Sequence, residues 1–212
     1  MCSGRVDLGF VLLAFSNGMD GVFIGGCHLN ECHYITDGNH HAVNMVQICK
    51  RLLQHIGVNP ERLRMEQVSA GEGIRFAEIM NDFSKKLREL GPLGKGEGVD
   101  LDALKFRLKS LIKLVPYIRL VERERLRVRF NTAEEYEEFY RSGKVDRVFS
   151  ELIMDKLAIS EIITLLREKP RSTGELSSIL GLEASEVSRH LGSSARQGLS
   201  RFDQNLKRFV PA

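Results

Sequence analysis

The chain has 212 residues, room for one large domain or two small ones, with 42% hydrophobic and 28% charged residues and a formal net charge of +3. That balance excludes wholesale disorder, and no apolar run approaches the roughly 20 residues that cross a bilayer. No basic and apolar leader follows Met1, so the four cysteines point to a cytoplasmic chain whose thiols are reduced or act as ligands.

Asp7–Asn17 reads as an amphipathic helix carrying Leu8, Val11, Leu12 and Phe15 on one face. After a Gly18–Gly21 turn, Val22–Ile24 is a wholly apolar strand of the buried parallel type. Asn39–Ile56 is a second helix closed by Gly57, Arg62–Val68 a second strand, and Gly73–Leu90 a third helix. In that third helix Ile74, Ala77, Phe83 and Leu87 are spaced for burial. This order predicts an α/β layer with parallel strands, in a truncated flavodoxin-like pattern that starts at a helix.

Residues 93–100, "LGKGEGVD", read as a linker. Leu101–Leu114 is helical and is expected to stop at Pro116. The stretch Ile118–Phe130 suits strand or helix, and Ala133–Arg141 is an acidic helix. Ala158–Glu168, Gly174–Leu180 and Ser185–Gln197 have a helix-turn-helix rhythm, and "GLSRFD…LKRFV" follows as the hairpin of a winged helix. The expected fold class is therefore α/β. A small parallel-sheet domain occupies 1–94, a linker and helical extension 95–154, and a mainly α winged-helix-like domain 155–212. Net charge is −2 over residues 1–100, +4 over 101–150 and +1 over 151–212. The last value is small for a DNA-reading module, so DNA is not the expected partner.

Chemistry concentrates in "GGCHLNECHYI", residues 25–35. Cys27 and Cys32 follow the first strand, where open α/β sheets place ligands, and Cys2 stands directly before the first helix. Loops from neighbouring strand ends converge, so the three thiols form a candidate metal centre. Thiolates at this C-x4-C spacing suit a 2Fe-2S cluster, and His28 and His33 leave zinc open. Cys49, mid-helix between Val46 and Leu53, reads as a small apolar core residue. His40 and His41 open the second helix, where they could contact an anion, support a cluster or lie exposed. Ser69–Gly73 is an incomplete phosphate loop that an N-cap by Ser69 also explains. No catalytic residue is identified.

The stretches "CSGRVDLGFVLLAF", "GMDGVFIGGCHLNECHYITDGNHHA", "LLQHIGVNPERLRMEQVSAGEGIRFAEIMNDF" and "LGPLG" resemble the methyl-viologen-reducing hydrogenase delta subunit (MvhD-type) family over about residues 1–94. "VPYIRLVERERLRV" is similar to an extension of its longer members. The resemblance implies a small cytoplasmic electron carrier of anaerobes with one 2Fe-2S cluster and no substrate of its own. It implies electron transfer from a hydrogenase or formate dehydrogenase type enzyme to the flavoprotein subunit of a heterodisulfide-reductase-type, electron-bifurcating complex. Carried over by motif, Cys2, Cys27 and Cys32 are the cluster ligands. Family members usually carry a further strand and cysteine-bearing loop ahead of C-S-G-R, which this sequence lacks. Either the chain starts late, or His28, His33, Cys49 or a partner supplies the fourth ligand. Two other readings are a redox- or metal-sensing DNA-binding regulator that uses the C-terminal helix-turn-helix, and a zinc-stabilised scaffold subunit.

Overall fold

The structure is a computed structural model that describes residues 2–34 and 37–212. Met1 and Ile35, outer residues of the two cysteine motifs, lie outside the described residues. The chain divides into two compact units, Met1–Arg147 and Val148–Ala212. Among the described residues no helix is long and apolar enough to cross a membrane.

In the first unit, a 3-10 turn (Ser3–Arg5) leads into α1 (Leu8–Ser16), which the Asp7 carboxylate caps by accepting from Gly9 N at 2.7 Å. The expected stripe of Leu8, Val11, Leu12 and Phe15 is buried. β1 (Val22–Gly26) pairs in parallel with β2 (Leu63–Gln67), from Val22 opposite Leu63 to Gly26 opposite Gln67. Between them runs α2 (Asn39–His55), the best-buried helix of the unit, ended by Gly57 at φ +88°. Two parallel strands leave a thin sheet, and the long helices α2, α3 (Gly73–Leu90) and α4 (Leu101–Val121) dominate the unit.

Glycine-rich residues 93–100 are tied down by a buried charge pair rather than left loose. Arg62 is fully buried and ion-pairs with Glu97. It also donates to the backbone carbonyls of Asp20 (2.9 Å), Leu90 and Pro92. Gly96 is required here, because a Cβ would lie 1.8 Å from the Leu90 carbonyl oxygen.

Two expectations fail in this unit. Pro116 does not stop α4, which continues to Val121 and then widens into a π-turn over Glu122–Leu126. A proline inside a helix costs about 3 kcal/mol. Leu111, Val115, Ile118 and Val121 are all buried on α4, and full burial contributes roughly 1.5–3 kcal/mol for each such side chain, so packing wins. In α3, Ile79 and Phe83 are buried, but Ile74 is 82% exposed and Gly73 to Glu78 are all exposed. Ile74 stands nine residues before Phe83, about half a turn round the helix, so it lies away from the face that buries Ile79 and Phe83. Beyond the π-turn, residues 127–130 are irregular and are held by the Asn44 side chain through both Val128 N and Val128 O. α5 (Ala133–Tyr140) carries a capping box on Thr132 and Glu135, and a short α6 (Gly143–Val148) follows.

The second unit opens on a π-turn (Phe149–Met154) that runs into α7 (Asp155–Glu168). α8 (Thr173–Leu180) starts at a Ser172–Glu175 capping box and stops at Gly181 in the left-handed conformation. α9 (Ala184–Arg196) follows, then the antiparallel pair β3 (Ser200–Asp203) and β4 (Arg208–Pro211). Helix, turn, helix and hairpin match the winged-helix-like pattern read in the sequence, with Leu176, Leu180, Val187 and Leu191 in its core.

Candidate metal centre

Three of the four cysteines meet at one edge of the first unit. β1 ends at Gly26, so Cys27 stands at the carboxyl end of the parallel pair, and Cys32 lies five residues on. Cys2 enters from the turn before α1, with its Sγ 3.7 Å from Cys32 Sγ. Two thiolates on one tetrahedral metal with bonds of about 2.3 Å would stand about 3.8 Å apart, so this spacing is that of co-ligands. All three are part-exposed and unbridged.

Their environments differ. Burial and the neighbouring sulfurs of Cys32 and Cys2 push the Cys27 thiol up. For Cys32, burial acts upward but is outweighed by the backbone N–H groups of Asn39 and Tyr34 and by the Cys27 and Cys2 thiols, so its pKa is lowered. Amides directed at a sulfur also stabilise a ligating thiolate.

Glycines and one asparagine shape the cradle. A Cβ on Gly38 would lie 2.2 Å from Cys32 Sγ, one on Gly26 2.8 Å from Ser3 Oγ, and one on Gly4 2.1 Å from the Asp37 carbonyl oxygen. Asn39, the first residue of α2, donates its side-chain amide to the carbonyls of Cys27 (3.1 Å) and His28 (2.6 Å). Asn39 Oδ1 and Ser3 Oγ are buried there without hydrogen-bond partners among the described residues. Neither Gly38 nor Asn39 stood out in the sequence; the only signal was "DGN" ahead of the histidine pair.

The remaining candidates go elsewhere. His28 Nε2 meets Glu72 Oε2 at 2.7 Å. His33 is exposed, with its ring edge-on to Tyr34. Cys49 is fully buried in α2, and that burial raises its pKa. His40 is buried too: its Nδ1 lies 2.8 Å from Tyr136 Oη, and burial followed by Arg129 lowers its pKa. His41 faces Glu122 instead. Ser69 does not cap α3. Glu72 does the local bonding by accepting from Ser69 N, and that bond, followed by those from His28 and Arg75, lowers its pKa to about 2.

Among the described residues no group of three or more His, Cys, Asp and Glu side chains is placed to hold a metal ion. The three thiols nevertheless suit a sulfur-rich group that spreads its ligands over more than one metal atom. Sulfur donors, co-ligand spacing and side-chain-free walls all fit an iron–sulfur cluster.

Residues 1–91 match the family described as methyl-viologen-reducing hydrogenase, delta subunit. Methanopyrus kandleri has a relative, the iron-sulfur subunit of an F420-non-reducing hydrogenase, that is 36% identical over 92 residues, covering 43% of this chain and 69% of the relative. The chain belongs to this family. Within the delta-subunit family, the F420-non-reducing hydrogenase iron-sulfur protein of Archaeoglobus profundus is 47% identical over 91 residues, 43% of this chain and 66% of its own length. The same region is 48% identical over 94 residues to one of the subunits of a CoB-CoM heterodisulfide reductase from Methanosarcina acetivorans, where it makes up 12% of the relative and 44% of this chain. The chain thus spans just under two thirds of the Archaeoglobus protein and a small part of the Methanosarcina one. Residues 160–192 match a second family, described as bacterial regulatory protein, arsR family.

Proposed function

We propose that residues 1–94 hold a 2Fe-2S cluster on Cys2, Cys27 and Cys32. Through it they would pass single electrons from a hydrogenase or formate dehydrogenase type donor to the flavoprotein subunit of a heterodisulfide-reductase-type complex. The observation that carries this reading is the 3.7 Å approach of Cys2 and Cys32 beside Cys27 at the end of β1. Relatives named as iron-sulfur subunits of hydrogenases support the cluster, and the relative named as part of a heterodisulfide reductase supports the partner class.

A bound cluster supplies reversible one-electron transfer. The protein's part is to orient and to tune. Asn39 pins the carbonyls of Cys27 and His28 and so fixes the loop. Backbone N–H groups of Tyr34 and Asn39 favour charge on the Cys32 sulfur, which raises a reduction potential, while partial burial opposes charge. Part-exposed cysteines leave a short path to a docked partner. Cys49 is too deeply buried in α2 to serve as a fourth ligand.

Anaerobic purification followed by iron and acid-labile sulfide analysis tests the proposal. Iron with equimolar sulfide, and loss of visible absorption in Cys27→Ser, is the expected result. Zinc without sulfide would overturn it in favour of a scaffold role.

The arsR-family match favours a second reading, DNA binding by residues 155–212. The electrostatics oppose it. Glu183 and Glu186 stand at the exposed start of α9, and Arg189 is held by Asp155 at 3.0 and 3.2 Å. We take this segment as a docking module. DNA binding that weakens steeply with salt would reverse that assignment.

A further inference from the structure

A cavity of about 350 Å³ opens between the start of α1, one face of α2 and the π-turn after α4. That volume lies at the small end of ligand pockets, which run from about 300 to 1,000 Å³. Its floor is aliphatic, built from Val6, Met45, Ile48 and Ile118, and no Phe, Tyr or Trp is among its lining residues.

Charge is arranged around that floor. Arg127 holds the buried Glu122 carboxylate through two hydrogen bonds of 2.9 and 2.8 Å. Arg119 is paired with Asp7, which also caps α1. Arg123 lines the cavity too, but its carboxylate partner, Glu124, does not. Of the three guanidiniums, Arg123 is the one whose carboxylate partner stands outside the cavity, so its charge is the one least neutralised within it. His41 adds a buried Nδ1 with no hydrogen-bond partner, 3.6 Å from Glu122 Oε1. Such a group costs stability unless something in the cavity satisfies it. The wide turn contributes as well, since π-turns are frequent at functional sites, and here one brings Glu122, Arg123 and Arg127 to the same cavity.

We propose that this cavity binds a small aliphatic monoanion, its chain on the Val6–Met45–Ile118 floor and its headgroup between Arg123 and His41. With no Phe, Tyr or Trp in the lining, a nucleobase or flavin ring has no broad face to stack on, and the volume argues against a long chain. A guanidinium fork suits a carboxylate or a phosphate monoester equally. The site is separate from the three cysteines, although both use the same two backbone segments: Val6 and Asp7 continue the turn after Cys2, and His41 lies two residues beyond Asn39.

The test is a titration of the full chain, labelled at the methionine methyls, with hexanoate, hexyl phosphate, hexanol, hexylamine and acetate. The Met45 resonance is assigned from Met45→Leu. Hexanoate or hexyl phosphate should shift that methyl saturably, and the stronger of the two identifies the headgroup. Hexanol, hexylamine and acetate should each bind at least ~10-fold more weakly. Arg123 is 62% exposed, so Arg123→Ala should leave the fold intact and weaken the anion at least ~10-fold, with Arg123→Lys recovering part of the loss. Equal binding of hexanol, binding of acetate as tight as hexanoate, unchanged affinity in Arg123→Ala, or an unmoved Met45 methyl would each overturn the proposal.

Discussion

Gly38 faces the sulfur of Cys32 so closely that no other residue fits. Gly38→Ala is expected to lower bound iron at least ~10-fold, the scale of losing a group that positions a ligand. Far-UV circular dichroism should stay unchanged; a fully iron-loaded variant would place the cluster away from this wall. Glu72 supplies a pH signature. Ser69 N–H, His28 and Arg75 hold its carboxyl at about 2 instead of 4.5. A lowered folded pKa contributes stability above the unfolded value that is lost as pH falls through the folded one. The stability that the Glu72 carboxylate contributes should therefore be lost as pH falls from about 4.5 to about 2. Carboxyl NMR should place the Glu72 midpoint there, and Glu72→Gln should remove that step. A midpoint near 4.5 would mean the latch does not form.

At the scale of elements, α3 shows how an apolar residue can sit off the buried stripe. Ile74 and Phe83 are nine residues apart, about half a turn round the helix, and one is 82% and the other 4% exposed. Ile74→Glu should cost less than about 0.5 kcal/mol, as for other exposed sites. Arg62→Met strips a fully buried cation from Glu97 and three carbonyls, and should cost roughly 3–5 kcal/mol. Urea unfolding of both variants checks the pair, and a reversed order would refute the burial assigned to α3. Arg62 was invisible in the sequence, where it reads as one more strand-edge charge. Its partners lie 28 to 42 positions away, and nothing local marks a side chain whose neighbours arrive from the turn before β1 and the connection after α3.

For the whole molecule, metal removal should separate the two compact units. Chelation of anaerobically purified protein is expected to lower the melting temperature of the cysteine-bearing unit, because metal binding stabilises only the folded form. The unit from Val148 to Ala212 carries no cysteine and should melt unchanged, which residue-resolved hydrogen exchange would show. Equal loss of protection in both would contradict independent units.

Sequence by itself determined the element order, the parallel pair, the helix-turn-helix with its hairpin, and the placement of Cys27 and Cys32 after the first strand. Each follows from local signals: periods of 2 and 3.6, capping residues and glycine stops. Tertiary structure alone decided that Asn39 and Gly38 shape the cradle, that α4 runs through Pro116, and that the first turns of α3 stand exposed. Those outcomes depend on residues far apart in the chain competing for the same space, and a local pattern carries no record of which partner arrives.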